Sequence, residues 1–317
     1  MLLRKVKEDA ALSLGDNFDF DLPKDSTLEF IDVFIKATVT GVGGGTDIGA
    51  HNIIDNMQLQ LNGLDVFAQN MTGREHYYSA AAMMGELQEE DAPDPAGGTV
   101  TLFTLLRLWL MNLRGRDPRR TRLNVRPAED FRLKGKLAAA TSAMYSGGTQ
   151  AIAANAVEMQ IWYGEHPGPG GDVVFVRKRF NYTFNGSEQT FDWREQGSVL
   201  RSLLIEEFES NDTASDDELQ SLELIIDGKV RVIEPMESLY LRAKSTYASQ
   251  LSAAEIPTGL SFHDVDPRGL GGNRLSLQGN NVQIKITGEA DSKVTFIRSQ
   301  NQGVESFGLK RPMRRGR

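Results

Sequence analysis

The feature that most constrains this 317-residue chain is that it carries one plan twice. Residues Asn52–Met71 read NIIDNMQLQLNGLDVFAQNM, and residues Glu218–Met236 read ELQSLELIIDGKVRVIEPM. Each block is an alternating apolar run, a two-residue break and a second run. The breaks are Asn62-Gly63 and Asp227-Gly228, dipeptides that accept positive φ at both central positions of a type I′ turn. Each block therefore predicts a β-hairpin. Upstream, Phe20-Asp21-Leu22 matches Phe191-Asp192-Trp193, and Leu28 matches Leu200 at the start of an apolar-rich segment. Earlier still, Leu2–Gly15 stands where Val174–Gly186 stands. The offset is 165 residues from Gly63 to Gly228 and 171 from Phe20 to Phe191. Surface loops tolerate such a drift in length.

The stretch Gly164–Gly171 holds four glycines and two prolines, the composition of a connector. It predicts one module over residues 1–168 and a second, with a basic tail, over 169–317. Alternation of Val282, Ile284 and Ile286, a turn at Gly288–Ser292, and renewed alternation at Val294 and Phe296 predict strands closing the second module. Asn155–Gly164 closes the first in the same way. Helical stretches are expected at Arg74–Gln88 and Met236–Gln250, after each hairpin. The expected fold is all-β: two tandem eight-stranded jelly rolls, each an antiparallel β-sandwich, with short helices in the loops.

Composition narrows the chemistry. Lys+Arg is 35 against Asp+Glu 43, a net charge of −8, so any nucleic-acid contact must be local. The absence of cysteine excludes disulfides, thiol nucleophiles and thiolate metal sites. The longest apolar stretch, Thr99–Leu113, is short for a membrane span and carries Arg107, and Met1–Leu14 has no signal-type apolar run. A soluble protein made in the cytoplasm is expected. His51, His76, His166 and His263 form no HxH or HExxH pattern and read as structural, with His166 solvated in the connector. There is no GxSxG or P-loop, and Gly41–Gly49 reads as a loop between strands.

Charge is unevenly spread. Gly85–Pro95 holds Glu86, Glu89, Glu90, Asp91 and Asp94, and Glu206–Glu218 holds seven acids and no base. Both read as solvated excursions; calcium is the ligand class such a loop would take, though EF-hand spacing is missing. Arg107–Lys136 holds ten basic residues against three acids. The C-terminal Lys310, Arg311, Arg314, Arg315 and Arg317 could neutralise phosphates of nucleic acid or anionic lipid. Trp109, Trp162 and Trp193 sit in apolar strand-like contexts that suggest core.

With His51–Tyr78 as its most similar part, the duplicated plan resembles the double-jelly-roll major capsid proteins of tailless icosahedral viruses of bacteria and archaea, many with an internal membrane. The resemblance implies a viral structural protein with no catalytic site and no cofactor. It implies homotrimers of pseudo-hexagonal outline that contact neighbouring capsomers, penton and minor capsid proteins, assembled in the host cytoplasm into a virion capsid. The basic tail would face membrane lipid or genome on the inner side, and the acidic loops would lie at the outer end or between capsomers. The competing reading is a carbohydrate-active or sugar-binding protein on two β-sandwiches, which needs paired carboxylates or exposed aromatics.

Overall fold

The computed structural model describes residues 2–84, 87–113, 118–184, 188–193, 195, 198–235, 257–264, 275–277 and 281–309. The first module contains β1 (Leu2–Leu12), β2 (Asn17–Asp21), β3 (Thr27–Thr40), β4 (Ile54–Leu61), β5 (Leu64–Met71), α1 (Gly73–Met84), β6 (Thr99–Trp109), β7 (Phe131–Leu137) and β8 (Ala151–His166). The second contains β9 (Val173–Thr183), β10 (Glu188–Asp192), β11 (Ser198–Phe208), β12 (Leu219–Ile226), β13 (Lys229–Pro235), β14 (Leu260–Asp264), β15 (Val282–Gly288) and β16 (Lys293–Gly303). Strand n of the first module has its counterpart at n plus eight.

The sheets repeat in the same order. In the first module β1-β8-β3-β6 form one sheet and β5-β4-β7-β2 the other. In the second, β9-β16-β11-β14 and β13-β12-β15-β10 reproduce them. Local detail repeats too. Asn62 donates its amide to Asp130 O and Asp227 to Asn281 O, and in each case the partner's amide returns to the turn side chain. Leu22 donates to Phe131 O as Trp193 does to Val282 O. Leu28 pairs with Leu123 and Leu200 with Leu275. A β-bulge recurs as well: Glu29 is skipped between the Leu28–Glu165 and Phe30–Gly164 pairs, and Arg201 between Leu200–Gln300 and Ser202–Ser299. The expected double sandwich is present.

Turn chemistry explains the hairpins. Asn62 and Gly63 have φ of 51° and 75°, Asp227 and Gly228 of 51° and 71°, as a type I′ turn requires. Helix α1 begins with a capping box, in which Thr72 Oγ1 accepts from Glu75 N and Glu75 Oε2 accepts from Thr72 N. The expected helix at Met236–Gln250 lies outside the described residues.

Between the two sheets of the first module, Val33, Ile35, Leu59, Leu61, Leu106, Leu133 and Ile161 are buried in one cluster. Leu203, Ile205, Leu222, Leu224, Ile284, Ile286 and Phe296 form the smaller second core. Each such side chain contributes about 1.5–3 kcal/mol when fully buried.

Several expectations are corrected. His166 ends β8, half-buried, and its Nδ1 accepts from Gly168 N at 2.9 Å. Residues 167–172 dock on the first module: Gly171 N donates to Arg122 O, and a Cβ on Gly171 would stand 1.8 Å from Arg120 O. Trp109 and Trp193 are buried, but Trp162 is only half-buried, because it points outward from β8. Four arginines of the basic stretch 107–136 pair with acids distant in sequence: Arg107–Asp32, Arg122–Glu29, Arg120–Asp172 and Arg132–Asp19. Arg114 and Arg116 lie outside the described residues.

Candidate functional site

Two features of the whole molecule stand out: its polarity and the junction between modules. In the first module, Gly15 N bonds to Ala138 O, Ile48 N to Met144 O and Gly97 N to Gly41 O. These bonds gather the loops after β1, β3, α1 and β7 at one end. The turns after β2, β4 and β6 meet at the other end through Leu22–Phe131, Asn62–Asp130 and Val125–Ser26. Among the described residues of the second module, Phe184–Ser292 and Glu207–Gly259 mark the loop end, and Trp193–Val282 and Asp227–Asn281 the turn end. Strands β5 and β9 pair in parallel at Phe67 and Arg177. That pairing fixes both modules with the same end up.

The acidic runs consequently share the loop end. They are not fully solvated. Glu206 and Glu207 belong to β11 and are buried, and Glu207 Oε2 accepts from Leu219 N at 2.9 Å. Glu90 holds His51, whose Nδ1 lies 2.9 Å from its carboxylate while the ring stacks on Tyr77 at 4.6 Å. Asp94 accepts from Gly44 N at 2.8 Å, which holds its carboxyl below the usual range. Among the described residues no three His, Asp or Glu side chains gather as a metal site.

At the opposite end, Leu309 is buried against the first module and Asn62 Nδ2 donates to Phe307 O at 2.7 Å. The residues of the basic tail, Lys310, Arg311, Arg314, Arg315 and Arg317, lie outside the described residues, directly after this anchor.

The junction itself is built from one face of β9, β16, β11 and β14. Leu204, Phe262 and Ile297 turn away from the second core and pack into the first module's cluster. Around them lie charges that no sequence motif announces. Arg179 bonds Glu75 at 2.6 Å and Arg74 pairs with Glu206 at 3.2 Å, both across the junction. Burial, with Glu206 close by, pushes the Glu75 carboxyl up to about 8; Arg179 pulls the other way without offsetting it. Burial raises Glu206 as well. Arg177 is wholly buried beneath Phe67, with Nη2 on Met83 Sδ at 3.1 Å, and burial lowers it to about 9. A cavity of about 610 Å³ opens beside this cluster at the loop end, lined in part by Asn52, Asp55, Glu75, Arg179, Glu206 and Phe208. Its two buried carboxyls, Glu75 and Glu206, are each engaged by an arginine, a poor arrangement for general acid–base work.

No protein-family model matches the chain, and no curated protein matches its sequence. Solved structures match it over nearly its whole length. The STIV major capsid protein superposes with a TM-score of 0.72 at 15% identity, covering 97% of this chain and 98% of its own. Major capsid protein P2 of bacteriophage PM2 gives 0.64 at 13% identity, over 95% and 97%. The PBCV-1 virus capsid gives 0.62 at 10% identity, over 95% and 92%.

The chain has the double-jelly-roll fold of these capsid proteins.

Within this double jelly roll, corresponding sheet faces have different fates. The cross-strand row Arg179–Ile297–Leu204–Phe262 of the second roll is covered by the first. The corresponding row of the first roll is Lys5–Trp162–Asp32–Arg107. It is polar and partly open. Arg107 binds Asp32 through two bonds of 2.6 and 2.7 Å and lies 4.1 Å from the Phe30 ring, while Lys5 caps Trp162 at 5.8 Å. Sequence context reads Trp162 as core, and nothing local to either strand set says which of the two rows the double jelly roll covers.

Proposed function

We propose that this protein is a viral major capsid protein, a structural subunit whose homotrimers form pseudo-hexagonal capsomers of an icosahedral shell. The observation that carries this reading is the pair of like-oriented jelly rolls, joined side by side and alignable end to end with capsid subunits. Three copies of a two-roll subunit present six similar walls, so one protein tiles a near-hexagonal lattice. In this reading the loop end, with both acidic runs, faces outward. The turn end faces inward, and the five basic residues after Leu309 contact phosphates of genome or membrane lipid. Neighbouring capsomers, penton and minor capsid proteins are the remaining partners, and no cofactor is required. The residues that the carbohydrate-directed alternative needs are engaged elsewhere: Trp109 and Trp193 are buried, the half-buried Trp162 lies beneath Lys5, and Glu75 and Glu206 are each held by an arginine.

Light scattering after size exclusion tests the assembly unit: the expected mass is three times 35.1 kDa. A stable monomer refutes the capsomer. Protease treatment of sealed particles tests the orientation, since tail cleavage from outside contradicts an inward tail.

A further inference from the structure

Two Asn-Gly pairs occur in the chain, Asn62-Gly63 and Asn185-Gly186, and the second lies outside the described residues. The first forms the turn between β4 and β5, and its surroundings bear on one reaction, the loss of ammonia from the asparagine. In that reaction the Gly63 backbone nitrogen attacks Asn62 Cγ. The N–Cγ bond forms, the Cγ–Nδ2 bond breaks, and the Gly63 amide proton leaves with Nδ2 as ammonia. Water then opens the cyclic imide to aspartate or isoaspartate.

Three features of the turn act on this step. The nucleophile is accessible. Gly63 is exposed, no atom beyond its chain neighbours lies within 4 Å of the place a Cβ would take, and the Leu61–Leu64 pairing leaves its amide outside the ladder. The carbonyl is polarised, because Asn62 Oδ1 accepts from Glu129 N at 2.8 Å and from Asp130 N at 3.2 Å. Two backbone amides on one oxygen stabilise the negative charge that develops there as the tetrahedral centre forms. The leaving group, by contrast, is held. Asn62 Nδ2 donates to Phe307 O at 2.7 Å, and a Cβ on Gly308 would stand 3.4 Å from it. The segment that covers it is seated by Val304, Phe307 and Leu309, all buried.

We propose that Asn62 is a site of spontaneous deamidation gated by the C-terminal anchor: residues 304–309 keep the side chain amidated while docked, and their release opens the reaction. Either product weakens the return. Aspartate has no N–H to give Phe307 O, and isoaspartate adds a backbone carbon to a two-residue turn. The second roll shows that aspartate suits the turn itself, since Asp227 holds the same place and accepts from Asn281 N at 3.2 Å. The penalty therefore falls on the anchor, and an undocking event leaves a chemical record at the root of the basic tail. This inference is independent of the capsomer reading.

The test compares the full chain with a Phe307→Ala/Leu309→Ala variant, which loosens the anchor and leaves the turn untouched. Both are aged in mildly alkaline buffer and digested, and the peptides carrying Asn62 and Asn185 are followed by mass spectrometry. The conversion rate of Asn62 relative to Asn185 should rise about fivefold or more in the variant, the ratio that one such hydrogen bond carries. A ratio equal to or below the parent's overturns the gating. The unaltered chain supplies the second measurement. Unfolding it in urea should accelerate conversion of Asn62 by at least the same factor, and a folded rate equal to the unfolded one overturns the protection. In aged parent protein the Leu309 amide, which bonds Val304 O, should exchange hydrogen faster in the converted fraction than in the intact one. Equal exchange in the two fractions overturns the effect on the anchor.

Discussion

The two hairpin turns form a natural experiment, because one carries asparagine and the other aspartate. Asn62 Oδ1 accepts from Glu129 N and Asp130 N, and its Nδ2 donates to Phe307 O at 2.7 Å. Asp227 makes the same acceptor bond to Asn281 N but has nothing to donate. Asn62→Asp keeps both turn acceptors and deletes the donor. The lost bond contributes ~1 kcal/mol, and a carboxylate facing the stranded Phe307 carbonyl adds ~1–2 kcal/mol. The alternative is to release residues 304–309 and expose Val304, Phe307 and Leu309, at roughly 1.5–3 kcal/mol each. Staying folded is cheaper, so the net loss should be ~2–3 kcal/mol. Asp227→Asn should fall within ~0.5 kcal/mol of the parent. Thermal unfolding of the three proteins in one buffer reads the difference. Hydrogen exchange at the Leu309 amide, which bonds Val304 O, reads loosening of the anchor. Equal losses in the two variants, or an unaffected Asn62→Asp, would refute the role assigned to the anchor.

Other outcomes follow from the same contacts. The folded Glu75 carboxyl titrates above its ordinary 4.5, so its proton favours the fold: the contribution is complete below about 4.5 and is lost as pH rises toward about 8. Melting temperature should therefore decline across that window by the equivalent of a few kcal/mol at most, and Glu75→Gln should flatten the decline; an unchanged slope counts against the assignment. Arg107→Ala should cost about 3 kcal/mol by stranding buried Asp32, whereas Asp32→Leu/Arg107→Phe, which installs the residues of the counterpart row, should recover most of it in denaturant titrations. Gly171→Ala drives a methyl into Arg120 O and should lower the melting temperature by the equivalent of ~1–3 kcal/mol; Gly228→Ser meets open space but must hold a φ of 71°, and should cost ~1 kcal/mol from backbone strain alone.

Much of this fold was legible in the chain. The Asn-Gly and Asp-Gly turns, the alternation along β4, β12 and β15, and the match of Phe20 with Phe191 are short-range signals, and the strands follow them. The capping box at Thr72 and Glu75 is equally local. What escaped was every contact that depends on which faces meet. Arg179–Glu75, Arg74–Glu206 and Asn62–Phe307 join residues more than a hundred positions apart, with no spacing rule to reveal them. The acidic run at Glu206 looked solvated because composition reports charge, not the arginine that a neighbouring module supplies. Trp162 looked like core because its neighbours Ile161 and Tyr163 are apolar, and one-dimensional context does not tell which face of a strand stays uncovered.

Turn dipeptides and two-residue periodicity act within a few bonds, so the order of residues already specifies one sandwich written twice. How the copies stand is settled by packing. The parallel β5–β9 pairing sets a common polarity, and packing of the Leu204 face seals the junction between the modules. Those outcomes depend on burying a particular surface against a particular neighbour, which is a property of the assembled sheets and not of any segment.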